Sequence, residues 1–266
     1  MSDMTDSQRK MKKVSKSIFS LSTAEKIGSL ALIVVVWQAL VEIGVGGMKW
    51  IPSPLETFAA FIPYLPSEEF ARDMSISILR ITAGFVLGVC TGIPLGLFMG
   101  WKRHVKYWTF PTFEILRPIP PLAWIPLAVV MFTGIEESII FIIWTGAFFP
   151  IVLNTMLGVT SIPKNLQRSC LSLGVNSAQM LRHVIIPGAI PAIITGMVLG
   201  MGITWDQLVA AEMLAGGTGV GYQLWYYYII ENFPKVLMFM LLIGGVGYGF
   251  STVIRVIGGR YMKWSN

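Results

Sequence analysis

Apolar positions fall in six long blocks separated by short polar stretches: Ile27 to Ile43, Ser75 to Gly100, Thr109 to Phe132, Ser138 to Leu157, Ala189 to Ala211 and Pro234 to Ile257. Each block reaches the roughly 20 residues a helix needs to cross a bilayer core. The pattern predicts an all-α polytopic membrane protein with six transmembrane helices over residues 27–257. A basic cytoplasmic segment (1–26) precedes the spans and a cytoplasmic tail (258–266) follows them.

The polar gaps orient the spans. Lys102, Arg103 and Lys106 lie in one gap, Lys164, Arg168 and Arg182 in another, and Arg260 and Lys263 in the tail. Glu56, Glu68, Glu69, Asp73, Glu136 and Glu137 fall in the alternate gaps. Placing both termini in the cytoplasm puts every basic gap inside, as the Lys and Arg bias of membrane proteins requires. The first block could belong to a signal peptide, yet no small-residue cleavage site follows it and it continues through Trp37, Gln38 and Glu42. It reads as an uncleaved span.

Composition agrees: 54% hydrophobic and 13% charged residues, 27 glycines and a mean hydropathy of +0.67 describe a membrane protein rather than a soluble domain. The net charge of +6 sits in loops between spans and so reports orientation rather than a nucleic-acid partner. Cys90 and Cys170 are too few and too differently placed for a disulfide framework.

Within the blocks, Gly84, Gly88, Gly92, Gly96 and Gly100 form a shallow ridge along the second span, which invites close packing inside the subunit more than a dimer seam. Gly188, Ala192, Gly196 and Gly200 repeat the pattern in the fifth. Pro94 is expected to bend the second span. Between the first two spans, Pro52 and Pro54 predict an extended lead into a short interfacial helix over Leu55 to Phe61, with Trp50 at headgroup level.

The third block contains Glu114 and Arg117 followed by Pro118, Pro120, Pro121 and Pro126. These prolines cannot share one unbroken helix, so carbonyls are freed near membrane depth, where only protein or a watery cavity tolerates them. Glu114 and Arg117, three apart, can neutralise one another as a structural pair. Alternatively, Arg117 lies beside an anion pathway. Asp206 and Glu212 are the other acids in or beside a span, and Glu212 is expected to cap or pair near the outer face.

No Walker pattern occurs: in Gly216 to Gly221 the glycines lack a following Gly-Lys-Ser/Thr, and Tyr222 breaks GxGxxG. His104 and His183 are the only histidines, and neither HExxH nor GxSxG is present, so catalysis in this chain is not expected. Energy must come from another chain or from a gradient.

Ile162 to Pro187 is polar, basic and free of carboxylates. Gly174 is followed by nine residues and then Val184, Ile185, Ile186 and Pro187. This resembles the EAA loop of ABC importer permeases, with the EAA positions reading Arg168, Ser169 and Cys170. RPIPPLAWIPL with FTGIEES, and TWDQLVAAEML with GGTGVGY, resemble permeases of the nitrate, sulfonate, taurine and bicarbonate uptake group.

The resemblance implies a type I (MetI-like) importer permease in the plasma or inner membrane. It also implies a translocation pathway for a small anion, and no cofactor of its own, because ATP binds a partner ATPase. Two short helices, Leu166 to Leu173 and Ser177 to His183, would meet at Gly174 and sit in the ATPase. Arg168, Ser169, Cys170, Leu173, Gly174, Val184, Ile186 and Pro187 carry that coupling. Leu171, Leu173, Val175 and Leu181 are available to fill the partner's groove. Glu114, Arg117, Trp124, Trp205 and Asp206 are the pathway candidates. Expected partners are two ATPase subunits, a periplasmic or lipid-anchored substrate-binding protein, and a second permease copy. The binding protein would meet the segments around Gly44 to Asp73 and the aromatic stretch Gly216 to Asn232, though an interfacial belt explains those aromatics more simply. The rival is a gradient-driven carrier or channel using Glu114 or Asp206.

Overall fold

Five glycines spaced four apart form one stripe on a helix, and whatever packs there comes close to backbone. The computed structural model describes residues 23–44, 46, 51–215 and 217–261. In it the stripe lies on α3 (Glu68–Trp101), with α1 (Thr23–Ile43) and α2 (Pro54–Tyr64) before it. Facing the stripe is α6 (Ile135–Thr160), which opposes the five glycines with Ile143, Ala147, Ile151, Thr155 and Val159, also four apart. The two ridges mesh along the whole contact, as the intrasubunit reading expects. A Cβ at Gly88 would stand 2.5 Å from the Ala147 Cβ and 3.4 Å from the Phe148 amide nitrogen. Gly88→Leu is therefore expected to push the helices apart and cost about 3 kcal/mol, read as a lowered thermal midpoint in detergent. Gly245→Ala, where nothing lies within 4 Å, should not lower it.

The far face of α6 receives the second small-residue stripe. After α7 (Lys164–Ser172) and the single turn α8 (Ser177–Met180), α9 (Ile186–Ala215) lays Ala192, Gly196 and Gly200 against Gly158, Asn154 and Ala147. The hub α6 is thus sandwiched between α3 and α9. Ile81, Ile139, Ile143, Ile151 and Leu208 are fully buried along the seam.

Among the described residues, four helices are long and apolar enough to cross a membrane: α3, α6, the continuous segment Ser177–Leu214, and α11 (Phe233–Tyr261) over Phe233–Gly259. The third expected span is not one helix. Its halves, α4 (Arg103–Leu116) and the segment Pro121–Met131 containing α5 (Ile125–Met131), are bent by 88°. Pro118, Pro120 and Pro121 at the break explain the corner, since three missing amides cannot sustain the helical ladder. The first expected span falls in α1, whose described apolar part, Gly28–Ile43, is shorter than the other four. Pro94 does not break α3.

The short helix expected after Pro52 and Pro54 is present as α2. Pro54 opens it, and Ser53 and Glu56 close a reciprocal capping box. One face docks on the start of α11 through Tyr64 and Phe239, while Leu55, Phe58 and Ile62 stay exposed. Burial, with Glu69, Tyr227 and Asp73 adding, pushes the Tyr64 phenol far up, so it remains a neutral hydroxyl. Residues 1–22, Trp50 and most of the tail lie outside the described residues.

Candidate functional site

The two ends of the bundle differ in charge. At one end, the close of α3, the close of α6 and the start of α9 pack Leu97, Val159, Ile162 and Ile185 into a small core under the loop of residues 162–187. Residues 101–108 and 162–187 carry Lys102, Arg103, Lys106, Lys164, Arg168 and Arg182 and no Asp or Glu. Carboxylates gather at the opposite end.

Two local motifs make the loop rigid. The last turn of α7 ends in a Schellman arrangement, with the Val175 amide bonding the Cys170 carbonyl (3.1 Å) and the Gly174 amide bonding that of Leu171 (3.0 Å). Gly174 takes φ +80°, and nothing lies within 4 Å of where its Cβ would be. Two residues on, Asn176 and Gln179 form a capping box of 2.8 and 3.0 Å. The expected second short helix is not separate. It runs from Ser177 through one wide turn, in which the Ile186 amide bonds the Leu181 carbonyl, directly into α9. A push on this turn is therefore a push on a spanning helix.

The expected coupling residues divide into an outer and an inner set. Arg168, Ser169 and Leu173 are exposed, Leu173 at 83%. Cys170, Val184 and Ile186 pack against the small core, and Pro187 is half-buried. Of the four apolar residues expected to reach a partner, Leu171 and Leu173 are exposed. Val175 and Leu181 pack on this chain's own core instead, against the cluster that holds Leu97, Ile162 and Ile185. Leu166 joins the exposed pair.

The pathway candidates are spread over three places. Glu114 and Arg117 form the expected ion pair at 3.4 Å, each about two-fifths exposed. Arg117 also lines a groove of about 340 Å³ between the Pro121 corner, α6 and α9, with Thr145, Phe149, Asn154, Leu199 and Ile203. Pro150, another wall residue, lacks the amide that would bond the Gly146 carbonyl, so the helical ladder of α6 misses one bond along the groove wall. Asp206 is exposed on the same face of α9, three residues beyond Ile203, and forms no ion pair among the described residues. Trp124 packs edge-on to Phe141 and lines a neighbouring cavity of about 380 Å³. Trp205 is a core residue, 5% exposed, donating to the Ile243 carbonyl at 2.6 Å and stacked on Phe250.

One polar cluster was only partly foreseen: Glu212 is paired, as expected, but its partner Arg80 and the burial of Asp73 escaped sequence reasoning. Arg80, 2% exposed, donates to Glu212 (2.9 Å), Glu136 (2.5 Å) and the Thr218 carbonyl (2.8 Å). Glu212, fully buried, also accepts from Ser77 (2.7 Å) and the Gly221 amide (2.9 Å). Asp73, buried, accepts from Gln223 (2.6 Å) and the Gly219 amide (3.3 Å). The cluster ties α3, α6 and α9 to α10 (Val220–Ile229). The glycine-rich turn before α10 thus cradles anions after all, but they are the chain's own carboxylates. At Gly219, φ is +111° and a Cβ would collide with the Glu212 carboxylate, so only glycine fits. Two signals pointed here: an arginine inside an apolar block, and a glycine run after an acid.

Residues 92–262 match the family model described as "Binding-protein-dependent transport system inner membrane component". A chain of Methanocaldococcus jannaschii named as an ABC transporter permease protein is 38% identical over 258 residues, covering 95% of this chain and 96% of its own length. A nitrate import permease protein of Synechocystis is 31% identical, covering 90% and 89%. The taurine transport system permease protein of Escherichia coli is 34% identical, covering 74% of each chain.

Proposed function

Because this chain belongs to the family of inner membrane components of binding-protein-dependent transport systems and is the permease subunit of an ABC importer, we propose that it conducts a small anion and is driven through the Gly174 loop. The loop carries the reading: a prebuilt turn, continuous with α9, presents Leu166, Leu171 and Leu173 among cations that have no carboxylate partner among the described residues, at one end of the bundle. Water-exposed leucines framed by charge suit a groove in a separate ATPase chain. Both termini and this loop lie on the cytoplasmic side, in keeping with the positive-inside bias. The relatives named for nitrate and taurine support an anion of the nitrate, sulfonate or bicarbonate class.

The groove holding Arg117 is open on one side, and a second copy of the chain closing it would complete the pathway. Arg117, already neutralised by Glu114, offers donors to a passing anion without leaving a bare charge in the bilayer. At the opposite end, α2 and the exposed Trp225, Tyr226 and Tyr228 of α10 lie where a substrate-binding protein would deliver.

Vesicles holding the permease, its ATPase and its binding protein test this. Uptake of a labelled anion is expected only with all three and ATP, and Arg117→Ala is expected to reduce it at least tenfold while the protein still inserts. Accumulation by the permease alone under an ion gradient would overturn the reading in favour of a carrier.

A further inference from the structure

A second groove, of about 620 Å³, opens at the loop end of the bundle along the first turns of α4. Arg103, Lys106, Tyr107, Trp108, Phe110 and Pro111 line it. Its chemistry is layered. Arg103 and Lys106, with Lys102 beside them, form a basic rim, and none of the three has a carboxylate partner among the described residues. The lysines rest on aromatic faces instead, Lys102 at 4.0 Å from the Trp101 ring centre and Lys106 at 5.3 Å from that of Phe110. Below the rim Phe110 and Pro111 lie in the apolar block that starts at Thr109. Tyr107 and Trp108, 75% and 77% exposed, stand at the boundary. Cations above, amphipathic rings at the boundary and hydrocarbon below are the order in which a bilayer presents phosphate, glycerol and acyl chain.

We propose that this groove binds the headgroup of an anionic phospholipid in the leaflet at the loop end. The assignment of that leaflet to the cytoplasmic side rests on the orientation proposed above. A soluble partner would meet the basic rim but not Phe110 and Pro111 at membrane depth. A second copy would bring the same unpaired cations toward one another across a twofold axis, and like charges so placed repel. An anionic lipid satisfies both layers at once.

The test is retention of lipid by the detergent-purified protein in native mass spectrometry. Phosphatidylglycerol and phosphatidylcholine of matched chains are supplied, with excess inorganic phosphate as a competitor. The intact chain is expected to keep phosphatidylglycerol in preference to phosphatidylcholine, and inorganic phosphate should not displace it. Arg103→Gln with Lys106→Gln should lower retention roughly 30-fold, about fivefold per charge removed. Lys164→Gln with Arg168→Gln, which removes equal charge from the loop, should leave it unchanged. Equal retention of the two lipids, unchanged retention in the groove variant, displacement by phosphate, or cross-linking of two copies through Tyr107→Cys would each overturn the proposal. None of these readouts measures uptake, so they stand apart from the transport reading.

Discussion

Arg80→Ala is expected to be the most damaging single substitution at the carboxylate-rich end of the bundle, costing about 3–5 kcal/mol. Removing the guanidinium leaves Glu212, which has no exposed surface, with only the Ser77 hydroxyl and the Gly221 amide. Stranding a buried carboxylate costs far more than the pair contributes over an apolar replacement. Glu212→Ala should cost less, because Arg80 keeps Glu136 and the Thr218 carbonyl. Glu136→Ala should cost least, since that carboxylate is 57% exposed and water can replace its partner. The double variant Arg80→Met with Glu212→Leu should recover much of the loss, because it removes both charges and refills the volume. Thermal midpoints of the four proteins in detergent measure the order. A midpoint for Glu136→Ala as low as that for Arg80→Ala would contradict it.

This cluster also marks where reading the sequence stopped. Four of the six apolar blocks form single spanning-length helices among the described residues, legible because span length is a property of consecutive residues, and the Gly84 to Gly100 stripe was legible because its period matches a helix. The turn at Gly174 was legible for the same reason: its register with Val184 and Pro187 is local. Arg80 and Glu212 are 132 residues apart, and no periodicity links them. Asp73 was placed with the outer loop acids by its neighbours Glu68 and Glu69, yet it is 1% exposed. Helix α3 simply begins seven residues before its apolar block, and α10 covers that first turn. The prolines after Arg117 announced a break but carried no information about its 88° angle, which depends on what α5 packs against. Trp205 shows a different limit: the sequence offered it as a pathway candidate and gave no sign of its partner, whereas in the fold its indole donates to the Ile243 carbonyl of α11.

Leu173→Glu is expected to sever the permease from its ATPase while leaving the permease itself intact. The side chain is 83% exposed and belongs to none of the apolar cores among the described residues, so its loss is expected to remove little packing from the fold. Buried in a partner's groove, the same leucine would be a dominant contact, and a carboxylate there must either be desolvated or keep the interface open. Such a central residue typically carries 2 kcal/mol or more, about a 30-fold loss of affinity. Co-purification of the ATPase and ATP-driven uptake should fall together by about that factor, with the thermal midpoint of the isolated permease unchanged. Gly174→Val should give a similar loss by another route. Nothing lies near its missing Cβ, so the cost is wholly conformational: a β-branched residue at φ +80° is disfavoured by at least 1–2 kcal/mol and would reopen the turn. Gly174→Asn, which tolerates that conformation, should retain most of the coupling. Because the segment from Ser177 continues into α9, which lines the Arg117 groove, an altered turn is also expected to weaken any transmission from the loop to that groove. If Leu173→Glu left co-purification and uptake at their original levels, the ATPase would have to engage another surface, and the role given to the loop would fall.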